Sequence, residues 1–403
     1  MTGEERLARR WIDPPRLRSV EDPGADRGAT WTELFFDLVF VVAVVRLSTA
    51  FLNDVTVHGF LVFAGLFIPL WLLWTGFTFY SDRFDTDDAI HRLFMLAGMF
   101  CVAAMAAAVT GVAAGTNSTA FAIAYVAARA VAIALYGRAW IHLPQARPLV
   151  NVYLAAPTFS IALWLVAFAF PTPLRYVLWA VGLLMELATP LAARRRQSAA
   201  PLDTSHLPER MGLFTIVVLG ETVLSVVIGT DNVAWSVETV VAALLGFAIG
   251  AAFWWVYFDF VDTELIDHSL GGGQAYLFAH LPLLIGLATI GPGVRLALQD
   301  VSGGDAADSS RLGCLRWCGD RLLVARSRVL RDVENLARTR PVGPLRYRCL
   351  CARACARRRA AAAGGASGFP RGRPSRPGGA AHRGARPAER FTSIGFPAWP
   401  TRR

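Results

Sequence analysis

Lysine is missing from this sequence: all 40 basic residues are arginine, as a very GC-rich gene would encode. Charge of either sign is scarce, at 17% of residues against 54% hydrophobic, which excludes an ordinary globular domain of this length. Cysteine is nearly absent from the apolar part, where Cys101 stands alone, while Cys314, Cys318, Cys349, Cys351 and Cys355 crowd the last hundred residues. That distribution gives no disulfide framework. His-Glu-x-x-His and Gly-x-Ser-x-Gly are both missing, and no two cysteines or histidines lie close together in the apolar part to build a metal site. We therefore expect no enzyme activity, no metal and no cofactor. Residues 1–30 hold six Arg and six acids but no apolar stretch of the length a signal peptide needs, so the start reads as a short polar arm.

What the sequence does have is long apolar runs. Crossing the hydrocarbon takes about 20 mostly apolar residues, and nine such runs precede residue 303, at 31–51, 59–80, 91–114, 118–137, 150–170, 174–193, 210–229, 235–258 and 274–298. Lipid cannot satisfy backbone polar groups, so these runs must be helices. Arginine between them sets the orientation, because short Arg-rich loops stay in the cytoplasm. The arm holds six Arg, the second loop Arg83, the fourth Arg138 and Arg147, and the sixth Arg194, Arg195 and Arg196. This predicts a multi-pass membrane protein with a cytoplasmic N-terminus.

Two segments match at a constant offset of 177 residues. "FYSDRFDTDDAIH" at the end of the second run and "VYFDFVDTELIDH" at the end of the eighth share Tyr80/Tyr257, Asp82/Asp259, Asp85/Asp262, Thr86/Thr263, Asp87/Glu264 and His91/His268. Polar residues of this kind are avoided by helices in lipid, and the match reads as an internal repeat. Six helices separate the copies, so the repeats are parallel. A bland alternative is the chance likeness of two acidic helix ends.

The charge is divided as unevenly as the cysteine. Residues 1–303 hold 18 Arg and 24 acids, and residues 304–403 hold 22 Arg and 6 acids. The overall excess of +10 therefore belongs to the last hundred residues and is no argument for a nucleic-acid partner of the apolar part. After Gly303 the text becomes rich in Arg, Ala, Gly and Pro. We read it as a frameshift near codons 300–310 that replaced three helices; a basic arm binding anionic lipid or nucleic acid, and a zinc site on the tail cysteines, are the alternatives. The expected fold class is an all-α polytopic transmembrane bundle, with nine spans left of a twelve-helix protein built from two parallel six-helix repeats. Its parts are a cytoplasmic arm (1–30), a first repeat (31–193), an Arg-rich cytoplasmic linker (194–209), a truncated second repeat (210–303) and the tail (304–403).

Charged residues inside such runs are the candidate site. At about 1.5 Å per residue, Glu33 lies at the interface, Asp37 about one turn deeper, Arg210 at the start of the seventh run, Glu221 about 16 Å further and His280 about 9 Å into the ninth. The i, i+4 spacing puts Glu33 and Asp37 on one face. An ionised group facing lipid would cost several kcal/mol, so these side chains should face the bundle interior or a wet cavity, most economically a shared cytoplasmic vestibule. Arg210 is the counter-ion at the depth of Glu33 and Asp37. Glu221 has none at its level, and an unpaired buried carboxyl favours its protonated form, as a proton-binding site would. The bland reading is that all of them hold helices together. Arg129 and Glu186 read as a structural pair, and Gly246 with Gly250 as a close helix contact. The acids Asp82, Asp85, Asp87, Asp259, Asp262 and Glu264, with Tyr80 and Tyr257, sit at helix C-termini, where a cation or a neighbouring arginine must offset the helix dipole; capping of the following helices would explain them equally.

Three stretches resemble a known family. "ELFFDLVFVVAVVRLS" from Glu33, "ERMGLFTIVVLGETV" from Glu209 and "WWVYFD" from Trp254 are similar to the bacterial low temperature requirement A family, over about residues 31–300. The resemblance implies a multi-pass inner-membrane protein connected with growth in the cold. Its motif residues fall on Glu33, Asp37, Glu209, Arg210, Gly220 and Glu221. The function expected is a secondary transporter or ion-conducting protein, with lipid and a small ion or proton as its partners. Glu221, with Asp37, Glu33 and His280, would bind the proton or ion, Asp37 with Arg210 and Glu209 would gate the cytoplasmic entry, and the two acidic helix ends would concentrate cations. The alternative is a non-transporting sensor or envelope assembly factor.

Overall fold

The computed structural model describes residues 13–18, 30–85, 88–200, 206–231, 235–260 and 270–303. The tail, and with it the expected frameshift near codons 300–310, lies largely outside them.

Among the described residues nine helical spans are long and apolar enough to cross a membrane. They are α1 (Trp31–Leu52), α2 (Val57–Arg83), α3 (Ala89–Ala113), α4 (Ser118–His142), α5 (Arg147–Val166), α6 (Leu174–Leu187, followed by a turn at Thr189–Ala192), α7 (His206–Gly229), α8 (Val237–Phe260), and a last span made of α9 (Leu270–Ala288) and α10 (Ile290–Gly303). The apolar runs predicted these helices to within a few residues, except that the ninth is not continuous.

Side chains at the N-termini explain where several helices begin. Thr30 accepts from the Glu33 backbone N–H at 3.3 Å while the Glu33 carboxylate accepts from the Thr30 N–H at 3.0 Å, a reciprocal capping box. Thr56 caps α2 through the Gly59 N–H at 3.1 Å, and Asp88 caps α3 through the His91 N–H at 3.0 Å. A two-residue antiparallel pairing of β1 (Arg16–Leu17) with β2 (Phe84–Asp85) ties part of the N-terminal arm to the end of α2.

Lipid tails are as apolar as leucine, so helix association here rests on close packing and polar contacts rather than on removal of apolar surface from water. Packing is dense where α1, α2 and α7 meet: Phe36, Phe40, Trp74, Phe77 and Phe214 are all at most 1% exposed, with the Trp74 and Phe214 rings 4.4 Å apart. Small residues permit the other close approaches. A Cβ on Gly246 of α8 would strike Val294 of α10, and one on Gly250 would touch Thr222 of α7, so the Gly-x-x-x-Gly pair faces α7 and α10. α8 is otherwise peripheral, with only 17% of its most apolar window buried against 50% in α7.

The acidic end of α2 is an internal structure. Tyr80 and Asp82 are buried, and Asp82 lies 3.8 Å from Arg18. Asp88 pairs with Arg138, whose Nη2 also donates to the Asp13 carbonyl at 2.5 Å. Arg83 is buried, stacked 4.7 Å over the Tyr153 ring, and donates to Gln197 and to the Ala200 carbonyl. Neighbouring arginines thus offset these carboxylates, and Asp88 also serves as a cap. Asp85 lies in β2; Asp87, Asp262 and Glu264 lie outside the described residues, and Asp259 is exposed.

Candidate functional site

Among the described residues, three buried polar clusters contain the candidate site residues. The first joins α1, α2 and α7. Asp37 is 4% and Arg210 2% exposed. Arg210 Nη2 donates to Asp37 Oδ1 at 3.2 Å, Nη1 lies 3.0 Å from Oδ2, and Trp74 Nε1 donates to Oδ1 at 2.8 Å. Of these two arginine contacts only Nη2–Oδ1 has hydrogen-bond geometry, while Nη1 and Oδ2 meet as charges alone, so the pair is one charge-assisted hydrogen bond with an electrostatic contact beside it. Glu33 is only 4.0 Å from Arg210, and its carboxylate is also bound to the helix N-terminus. Glu209, beside Arg210, is exposed.

The second cluster surrounds Glu221, which is 3% exposed in the middle of α7. Ser225 Oγ, one turn on, donates to Glu221 Oε1 at 2.7 Å. Among the described residues Oε2 has no hydrogen-bond donor, the nearby Ser48 hydroxyl donating to the Ala288 carbonyl. It lies where a Cβ on Gly291 would have to be, so glycine at 291 is what lets the carboxylate sit against the start of α10. Ser48 of α1 and Arg295 of α10 face the same carboxylate, and Arg295 makes no ion pair with it among the described residues.

The third holds His280. Its Nδ1 is 2.7 Å from the Tyr276 carbonyl and its Nε2 2.8 Å from the Tyr257 hydroxyl. A carbonyl can only accept, so Nδ1 carries a proton, and in the neutral ring Nε2 accepts from Tyr257. His280 thereby links α8 to α9.

A further buried pair, Arg129 with Glu186, is joined by the Tyr125 hydroxyl, which donates to Glu186 at 2.8 Å. It links α4 to α6, as expected for a structural pair.

The sequence placed Asp37, Arg210 and Glu221 inside the bundle but missed Ser48, Ser225, Gly291 and Arg295. Serines one turn from an acid carry too common a signal. Arg295 and the run Gly291-Pro292-Gly293 inside an apolar stretch were visible signs of a charged, interrupted helix.

Comparison with known proteins decides the family. The bacterial low temperature requirement A protein family matches residues 28–327. The chain belongs to this family. The match spans every described helix and continues past Gly303. A protein of Rhizobium meliloti (strain 1021), titled "Uncharacterized protein RA0937", is 30% identical over 276 residues, covering 64% of this chain and 67% of that one. No solved structure gives a significant match. Family membership and nine apolar spans make this a multi-pass bacterial membrane protein, surrounded by lipid.

Proposed function

We propose that this family member moves a proton or small cation across the inner membrane, as a secondary transporter or an ion-conducting protein rather than an enzyme. The observation that carries the reading is Glu221: a carboxylate in the middle of a span, with one oxygen lacking a donor, packed against an interruption of another span. A carboxylate inside a membrane helix is by default a candidate for an ion or proton pathway, and discontinuous helices are a recurrent device for binding ions at mid-membrane depth. Asp37 and Arg210 hold the end of α7 that precedes Glu221 and act as the gate, with the N-terminus in the cytoplasm. His280 and Glu33 assist at most indirectly, being committed to Tyr257 and to the cap of α1.

The reading includes a duplicated origin. At an offset of 177 residues the ends of α1 fall within two residues of those of α7, and the end of α2 coincides with that of α8; in each set the third span packs against the first. Three further helices would complete the second copy; because the family match runs to residue 327, a shifted reading frame that replaced them lies after that residue rather than near codons 300–310. Sequencing codons 290–403 and translating all three frames tests this. A frame giving about three more apolar helices supports it, and the lack of one removes it.

Transport itself is tested in proteoliposomes with an interior pH dye or a cation-selective dye. Wild-type protein should give flux above empty vesicles, and Glu221→Gln should reduce it to background. Flux unchanged in Glu221→Gln would dismiss Glu221 as carrier. A stoichiometric partner co-purifying with a flux-free protein would favour the sensor or assembly role.

A further inference from the structure

The break in the last span has a definite cause. In a continuous helix the Ala288 carbonyl would accept from the N–H of residue 292, but residue 292 is proline and has none. That carbonyl accepts instead from Ser48 Oγ of α1 at 3.3 Å. The Gly286 carbonyl takes the Thr289 N–H at 3.2 Å and the Thr289 hydroxyl at 2.7 Å, and the Gly293 N–H goes to the Thr289 carbonyl at 3.3 Å. The chain therefore turns at Thr289 inside the apolar span, where irregular backbone is tolerated only if buried in protein or lining a polar site.

Four oxygens meet around this turn from three elements. They are Glu221 Oε2, without a donor, and Ser225 Oγ, both from α7; Ser48 Oγ from α1; and the carbonyl that Pro292 leaves free of its helical partner. Arg295 supplies positive charge nearby without pairing.

We propose that Glu221, Ser48, Ser225 and the Ala288 carbonyl form a binding site for one dehydrated sodium ion. This rests on the transport reading above and names the ion. Hard cations take oxygen ligands in mixed sets of carboxylate, hydroxyl and carbonyl. A proton would need a single oxygen and neither the hydroxyls nor the freed carbonyl. Among the described residues Glu221 is the single carboxylate here, and its one negative charge neutralises one sodium ion but leaves a divalent ion with an excess positive charge. Four protein oxygens suit sodium better than potassium, whose larger shell takes more ligands. Arg295 and the ion would compete for the same carboxylate, so that the site need not hold a bare charge in either state.

Equilibrium binding of radioactive sodium to the purified full-length protein in detergent tests the site, run beside the proteoliposome flux assay. The wild type should bind sodium saturably, with lithium competing and potassium or choline not. Ser48→Ala should weaken binding about tenfold, equivalent to about 1.4 kcal/mol, and Ser48→Thr, which keeps the hydroxyl, should restore most of it; size-exclusion profiles show whether each variant is folded. No saturable sodium binding overturns the site, and if Glu221-dependent flux persists the transport reading survives it. Binding that Ser48→Ala leaves unchanged in a folded protein also overturns the assignment. Saturable binding without any flux would instead retain the site and reject transport.

Discussion

Asp37 and Arg210 lie 173 residues apart in the chain and meet as a buried two-point ion pair, with Nη1 3.0 Å from Oδ2 and Nη2 3.2 Å from Oδ1. The contact fixes the start of α7 against α1. Removing one member leaves the other as a buried charge without its main partner, which costs about 3–5 kcal/mol. Asp37→Asn and Arg210→Gln should therefore each lower the thermal midpoint in detergent markedly. The double variant should lose less than the sum of the two, since neither charge is then left alone. Additive losses would show that the pair contributes nothing beyond its separate members.

Glu33 tests whether a motif carboxylate is functional or a helix cap. The capping box works with glutamine as well as glutamate, so Glu33→Gln should unfold close to wild type and keep its transport activity. Thr30→Ala removes the other half of the box and should cost about 1 kcal/mol. A Glu33→Gln protein that is stable but inactive would assign Glu33 to the ion path instead.

These residues also show what the sequence could and could not disclose. Apolar runs gave the helices because length and composition decide membrane insertion almost alone. Asp37 and Arg210 were paired by depth, which follows from counting residues along two helices. Thr30-x-x-Glu33 is a capping signature in plain view. The link from Tyr257 to His280 and the arrival of Ser48 at Ala288 depend on which helix faces are neighbours, and a single sequence carries no record of that. Pro292 was readable as a helix break, but not which carbonyl partner would replace its missing N–H.

Asp88 gives a pH dependence of stability. Burial pushes its carboxyl up, but hydrogen bonds from Arg138 and from the His91 and Asp13 N–H groups outweigh that and hold it below the usual carboxylate range. A depressed native value means that the unfolded chain takes up the proton first, so this contribution is complete above the ordinary carboxylate range and is lost as pH falls from that range to the lower native value. Thermal midpoints measured from pH 6 down to pH 3 should decline at the acid end, and Asp88→Asn should show a shallower decline from a lower plateau. Equal slopes for the two proteins would remove Asp88 as a source of the acid sensitivity.

Gly291 and Glu221 make the sharpest steric prediction. A Cβ at 291 would occupy the position of the Glu221 carboxylate, so Gly291→Ala must displace the acid or the start of α10. Overpacking of this kind costs about 1–3 kcal/mol. The glycine's own conformational freedom is not the reason, because residue 291 lies in a helix, where alanine is the better former. Truncating the acid opens the space: in a Glu221→Ala background the Gly291→Ala change should cost little or even stabilise. A double-mutant cycle on thermal stability reads this directly. A strong positive coupling places the carboxylate against the helix break, and independent effects of the two changes would put Glu221 elsewhere.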